Sequence, residues 1–137
     1  MLVKFHDKLF PSGDYGIVGH VESRRKNVCR IECAYTEALH QDGRQVVIIN
    51  EIYTECDFRK SGYATLLLKT LISNYGDDCV FYLQPIPFSN APAMSTAKLE
   101  RWYSRLGFES VPLRQVPQEI IDSVVFSRIY PWRVYCG

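Results

Sequence analysis

Val46-Val47-Ile48-Ile49-Asn50-Glu51-Ile52-Tyr53-Thr54, with Arg59-Lys60-Ser61-Gly62-Tyr63-Ala64 shortly after it, is the stretch that decides how this chain folds. Its first part is β-branched and aromatic along nearly its whole length, the composition of a strand buried on both faces. Beyond the second part, Ala64, Leu67, Leu68, Leu71, Ile72 and Tyr75 recur at i, i+3 and i+4 spacing, which predicts one apolar stripe of a helix. Gly76 stands where that helix should stop. Strand and helix are joined by a short basic turn containing one glycine. The first amides of a helix have no partner within it, and its macrodipole puts partial positive charge at the same end. Such a turn suits a phosphate or a diphosphate.

Two common phosphate-binding patterns, GxxxxGK(S/T) and GxGxxG, are absent from the sequence. What stands instead is Arg59-x-x-Gly62-x-Ala64. An ordinary connecting turn with solvated Arg59 and Lys60 is the plainer reading of the same residues. Further on, a second helix is expected over residues 96–106, with Leu99, Trp102, Tyr103 and Leu106 on one face. It should stop at Gly107 and pass into the apolar Phe108. Between the two helices, Cys79-Val80-Phe81-Tyr82-Leu83 reads as a strand.

Arg59-x-x-Gly62-x-Ala64 and Tyr103-x-x-x-Gly107-Phe108, in that order and with a strand between them, resemble the two signatures of the GNAT superfamily of acetyl-CoA-dependent N-acyltransferases. The resemblance covers about residues 46–108. It implies an α/β (α+β) fold with a mixed, mostly antiparallel central sheet of about six or seven strands and helices packed on it, here as a single domain of 137 residues. It also implies direct transfer of an acetyl group from acetyl-CoA to a primary amine. The cosubstrate's diphosphate would lie on the amides of Arg59, Lys60, Ser61, Gly62, Tyr63 and Ala64, aided by Thr65. Its pantetheine arm would run along Ile52 and Thr54, where two central strands splay apart. The backbone N–H near Ile52 would polarise the thioester carbonyl. Tyr103 matches the family tyrosine that protonates the departing thiolate. A phenol of pKa about 10 stays protonated near neutrality, whereas a thiol near 8.5 needs only modest help to leave. Tyr103 also reads as a core aromatic whose hydroxyl is satisfied locally.

The base is less determined. A lysine-type amine must lose a proton at a cost of roughly 4–5 kcal/mol at pH 7, an α-amino group at only about 1 kcal/mol. Glu51, Glu55 and Asp57 are the carboxylates on or after the central strand. Strict alternation places Glu51 and Glu55 on one face with Tyr53, and Asn50, Ile52 and Thr54 on the other. Glu51 is the choice, because a carboxylate midway along an apolar strand is expensive unless functional or partnered. An ion pair with an arginine is the competing reading.

The N-terminal third reads as antiparallel strands over residues 1–9, 15–21 and 27–35, with a polar turn at Ser23-Arg24-Arg25-Lys26 and an Asp42-Gly43 hairpin. The family usually places two helices between its first two strands, and they wall the acceptor pocket. No helical period appears there in this chain, so the N-terminal helix pair is expected to be absent. Either the acceptor site is open to something large, such as a protein terminus or lysine, or a second subunit of a homodimer completes it. Residues 109–112 continue as a strand, residues 117–122 as a short helix with proline in its first turn, and residues 124–130 as the last strand. Pro85, Pro87 and Pro92 stiffen the loop before the second helix.

Composition narrows the classes. A net charge of +1 and a pI near 7.6 argue against a dedicated nucleic-acid binder. No run approaches the ~20 apolar residues of a membrane span, and residues 1–7 lack the pattern of a secretion signal. Five cysteines without framework spacing point to reduced thiols and a cytoplasmic setting. Cys29 and Cys33 alternate with Ile31 and Tyr35 on one strand face, about 13 Å apart, so they read as core packing and no metal is expected. A catalytically silent acyl-CoA-binding or protein-interaction module on the same fold remains the alternative, since fold alone does not establish activity.

Overall fold

The computed structural model describes residues 2–11, 13–35, 39–58, 62–85, 96–123 and 131–136, with Cys56, Thr96 and Ser123 described by backbone only. In chain order these form β1 (Leu2–Leu9), β2 (Tyr15–Ser23), β3 (Lys26–Tyr35), β4 (His40–Gln41), β5 (Arg44–Thr54), a 3-10 turn (Cys56–Phe58) and α1 (Tyr63–Tyr75). Then come β6 (Cys79–Leu83), α2 (Thr96–Arg105), β7 (Glu109–Val111), a second 3-10 turn (Leu113–Gln115), α3 (Gln118–Ser123) and β8 (Trp132–Tyr135). The strands make one mixed sheet of order β1-β2-β3-β5-β6-β8-β7, with only β5 and β6 parallel. The count exceeds the expected six or seven because the two-residue β4 adds itself to β5 off the main path. The expected last strand at residues 124–130 lies outside the described residues; β8 follows them, at Trp132–Tyr135. No helix among the described residues is long and apolar enough to cross a membrane.

β1 pairs with β2 over its whole length, from Leu2 opposite Glu22 to Leu9 opposite Tyr15. The N-terminal segment is therefore a plain hairpin where the resemblance would place two helices. Two further hairpins turn on two residues each. Asp42 and Gly43 take φ 54° and 77°, the left-handed geometry such a turn requires and the residue types that tolerate it. Arg24 and Arg25 adopt the same hand, at φ 53° and 65°, with side chains that resist it. The double change Arg24→Asn, Arg25→Gly is expected to stabilise the fold by about 1 kcal/mol and to raise Tm by about 4 °C, measured by thermal unfolding.

The sheet is buried on both faces in its middle. Ile17, Val21, Ile31, Cys33, Val47 and Ile49 pack beneath Leu67, Leu68 and Leu71 of α1. On the far face Val46, Val80 and Tyr82 pack with Val116, Ile120 and Trp132 beneath α3. All five residues of β6 are buried, as its unbroken apolar run requires. Cys29 and Cys33 are core residues, as their alternation predicted, and burial pushes the Cys33 thiol far above its usual range. Gly76 does end α1, but in a right-handed conformation. Its N–H bonds Ile72 O at 2.7 Å, and a Cβ added at Gly76 would clash with that same oxygen.

One titratable cluster lies on the sheet face opposite α1. His20 stands across from Lys4 and Arg30, stacks on His6 at 5.5 Å, and has a buried Nδ1 with no hydrogen-bond partner. Burial, then the His6 and Arg30 charges, hold its pKa below the ordinary 6.5. A histidine depressed in the fold takes up its proton more readily when unfolded. Its stabilising contribution is thus present above pH 6.5 and is lost as pH falls from there through the lower folded value. Urea unfolding should show stability declining in that window, and His20→Gln should flatten the decline.

Candidate active site

The parallel pairing of the two central strands ends well before β5 does. The parallel ladder between β5 and β6 runs from Gln45 opposite Cys79 to Ile48 opposite Tyr82. There it stops, while β5 continues to Thr54. Just past that point β5 carries a bulge: Glu51 faces Glu32 and Ile49 faces Cys33, leaving Asn50 as the extra residue. A bulge bends its strand and resets its alternation. Strict alternation is therefore corrected here. Asn50 is exposed and does not share a face with Ile52, which returns to the α1 side with Ile49. Thr54 lies on that side too, its Oγ1 at 3.3 Å from Cys29 Sγ.

The end of β5 leads through the first 3-10 turn to the start of α1. Arg59, Lys60 and Ser61 lie outside the described residues. Gly62 is the N-cap, at φ 80° and ψ 7°, a left-handed conformation that explains glycine at this position. Its carbonyl accepts the first helical bond, from Leu66 N at 3.0 Å, and no side chain among the described residues caps the helix. The amides of Tyr63, Ala64 and Thr65 are thus first-turn donors with no partner inside this 13-residue helix. Among the described residues, no heavy atom beyond the chain neighbours lies within 4 Å of where a Gly62 Cβ would be. The Thr65 hydroxyl accepts a hydrogen bond from Trp102 Nε1 at 2.9 Å, joining α1 to α2.

Tyr103 lies near the end of α2, and the second signature turns out to be a helix stop as well. Gly107, at φ 94°, donates to Ser104 O at 3.1 Å, and Phe108 N donates to Tyr103 O at 3.0 Å. This is the paired hydrogen bonding of a Schellman cap, with its usual apolar contact supplied by the Tyr103 and Phe108 rings, edge to face at 5.8 Å. Arg133 of β8 holds the same corner, its Nη1 donating to Phe108 O at 2.7 Å. Tyr103 is only 8% exposed, and burial pushes its phenol above the usual tyrosine range. The group stays neutral, a donor throughout the working range of pH.

Glu51 has the arginine partner that the competing reading supplied. Arg30 Nη2 reaches Glu51 Oε1 at 3.3 Å and Glu32 Oε2 at 3.2 Å, dividing one nitrogen between two carboxylates. The Glu51 side chain is still 37% exposed, so the pair is long, reachable by water and worth no more than ~1 kcal/mol. Glu55 is paired with Lys26 at 2.8 Å. Arg30, Trp102 and Arg133 are the residues that sequence reasoning did not place. Periodicity shows Trp102 only as part of an apolar face, and the partners of the two arginines depend on strand register.

No family model and no curated protein matches this sequence. Solved structures do match in shape. An acetyltransferase of the GNAT family from Staphylococcus aureus Mu50 superposes at TM-score 0.62 with 12% identity, over 88% of this chain and 66% of its own. The ribosomal-protein alanine N-acetyltransferase of Escherichia coli gives 0.55 and 15%, over 87% and 66%. An aminoglycoside 6'-N-acetyltransferase complexed with coenzyme A gives 0.56 and 12%, over 87% and 71%. The chain thus spans about two thirds of the length of the solved structures it resembles. At these identities the likeness concerns architecture alone: the chain has the fold of the GNAT N-acyltransferases.

Proposed function

We propose that this protein transfers an acetyl group from acetyl-CoA to a primary amine, with a protein or peptide as the acceptor class. The observation that carries the reading is β5 outrunning β6 beside the uncapped start of α1. A diphosphate on the amides at residues 59–64, aided by Thr65, leaves the pantetheine arm free to follow β5 along Ile52 and Thr54. The thioester then lies in the opening between the strands, its carbonyl oxygen near the Ile52 amide. The acceptor nitrogen attacks the carbonyl carbon; as the C–N bond forms, the C–S bond breaks and its electron pair goes to sulfur. Tyr103 gives the thiolate a proton from the α1 side of the sheet. Glu51, on the other face, takes the proton that the amine must lose.

The acceptor class rests on the connection between β1 and β2. The β1–β2 hairpin takes the place of the two helices that wall the pocket in the family. One structural neighbour acts on the alanine of a ribosomal protein, and another is complexed with coenzyme A. A specific observation keeps the silent module in play: Glu51 and Glu55 are both ion-paired. A free-thiol release assay with acetyl-CoA and a panel of amines and peptides separates the two readings. Turnover with a peptide amine supports transfer; coenzyme A binding without turnover across the panel supports the silent module.

A further inference from the structure

We infer that Trp102 is a positioning residue that couples diphosphate binding at the start of α1 to the placement of Tyr103, acting through the Thr65 hydroxyl. The inference rests on the reading of the chain as an acetyl-CoA-dependent transferase.

An indole N–H can only donate, so Thr65 Oγ1 must be the acceptor in the 2.9 Å bond. Accepting there leaves the hydroxyl with its own proton to give elsewhere. Thr65 stands in the first turn of α1, where the orphan amides already favour an anion. A diphosphate oxygen bound at that turn would be an acceptor for this proton. The same indole belongs to the residue just before Tyr103, and the two rings lie 4.7 Å apart. The C-terminal end of α2 is fixed by the Gly107 cap and by Arg133 on Phe108 O. The Trp102–Thr65 bond is a second tether, from the body of α2 to the helix that would bind the diphosphate. With both tethers in place α2 has one orientation, and Tyr103 is held where that orientation puts it. A charge on Thr65 strengthens the bond it accepts, because hydrogen bonds in series polarise one another.

Two readouts test this, one of them independent of turnover. Trp102→Phe keeps an aromatic ring and removes the donor; Thr65→Val removes the hydroxyl and Thr65→Ser retains it. In the wild type, coenzyme A should slow hydrogen exchange in α2 as well as in the first turn of α1. In Trp102→Phe the α1 protection should persist and the α2 protection should be lost. In turnover, Trp102→Phe should lower kcat about ten-fold while KM for acetyl-CoA changes less than about two-fold. Thr65→Ser, which keeps the hydroxyl, should recover most of the kcat that Thr65→Val loses. The double change Trp102→Phe, Thr65→Val should have no lower a kcat than Thr65→Val alone. Wild-type kcat and wild-type α2 protection in Trp102→Phe would overturn the inference and leave the transferase reading standing. A wild-type protein that binds no coenzyme A at all would overturn both.

Discussion

Tyr103→Phe should lower kcat by two to three orders of magnitude, roughly the contribution of one general acid, and leave the affinity for coenzyme A unchanged. The substitution is unusually clean. Tyr103 is tied into the fold by its backbone carbonyl, which accepts from Phe108 N, and by its ring, which packs on Phe108. Phenylalanine keeps both. Only the hydroxyl is lost, so stability should move by no more than about 1 kcal/mol. Steady-state kinetics with calorimetric binding and a thermal melt would check all three statements. An unchanged kcat would reduce Tyr103 to the packing half of a helix stop.

The second large effect is at Gly62. A Cβ there meets nothing within 4 Å among the described residues, so the cost of substitution is argued from the backbone. At φ 80° an L-residue pays about 1–2 kcal/mol, most for a β-branched side chain and least for asparagine. Gly62→Val can relieve that strain only by rebuilding the turn and re-aiming the amides of Tyr63, Ala64 and Thr65. Coenzyme A affinity by calorimetry should fall about 100-fold in Gly62→Val, since several charge-assisted hydrogen bonds are lost together. Gly62→Asn should fall least and Gly62→Ala between. Equal affinity in all four proteins would place the diphosphate elsewhere.

Much of this architecture was legible because its signals are local. The apolar stripe of α1, the stop at Gly107 and the Asp42-Gly43 hairpin each depend on residues a few positions apart, and each stands where the sequence placed it. The burial of Cys29 and Cys33 followed from alternation alone. What escaped is non-local. The bulge at Asn50 arises from how β5 meets β3, and nothing in β5 itself announces it. Strict alternation consequently misplaced Asn50. An arginine partner for Glu51 could be foreseen as a type; that it is Arg30, divided with Glu32, depends on register. The Trp102–Thr65 bond spans 37 residues and two helices, beyond any window of periodicity. The two-residue β4 is shorter than any pattern can announce.

The physical content of the two signatures also differs from what a motif conveys. Tyr103-x-x-x-Gly107-Phe108 is first a capping device, in which the glycine is required by φ 94° and the aromatics by the contact that accompanies such a cap. Gly62 is likewise required by its backbone before any ligand is considered. Chemistry would be added to these structural needs, at the Tyr103 hydroxyl and the first-turn amides.

The most direct measurement is a titration of 15N-labelled protein with coenzyme A, followed by amide resonances. A diphosphate held by the first turn of α1 predicts that Gly62, Tyr63, Ala64 and Thr65 shift furthest, with smaller changes along Ile52 and Thr54. Resonances that stay in place there, or that shift instead around another part of the sheet, would contradict the account.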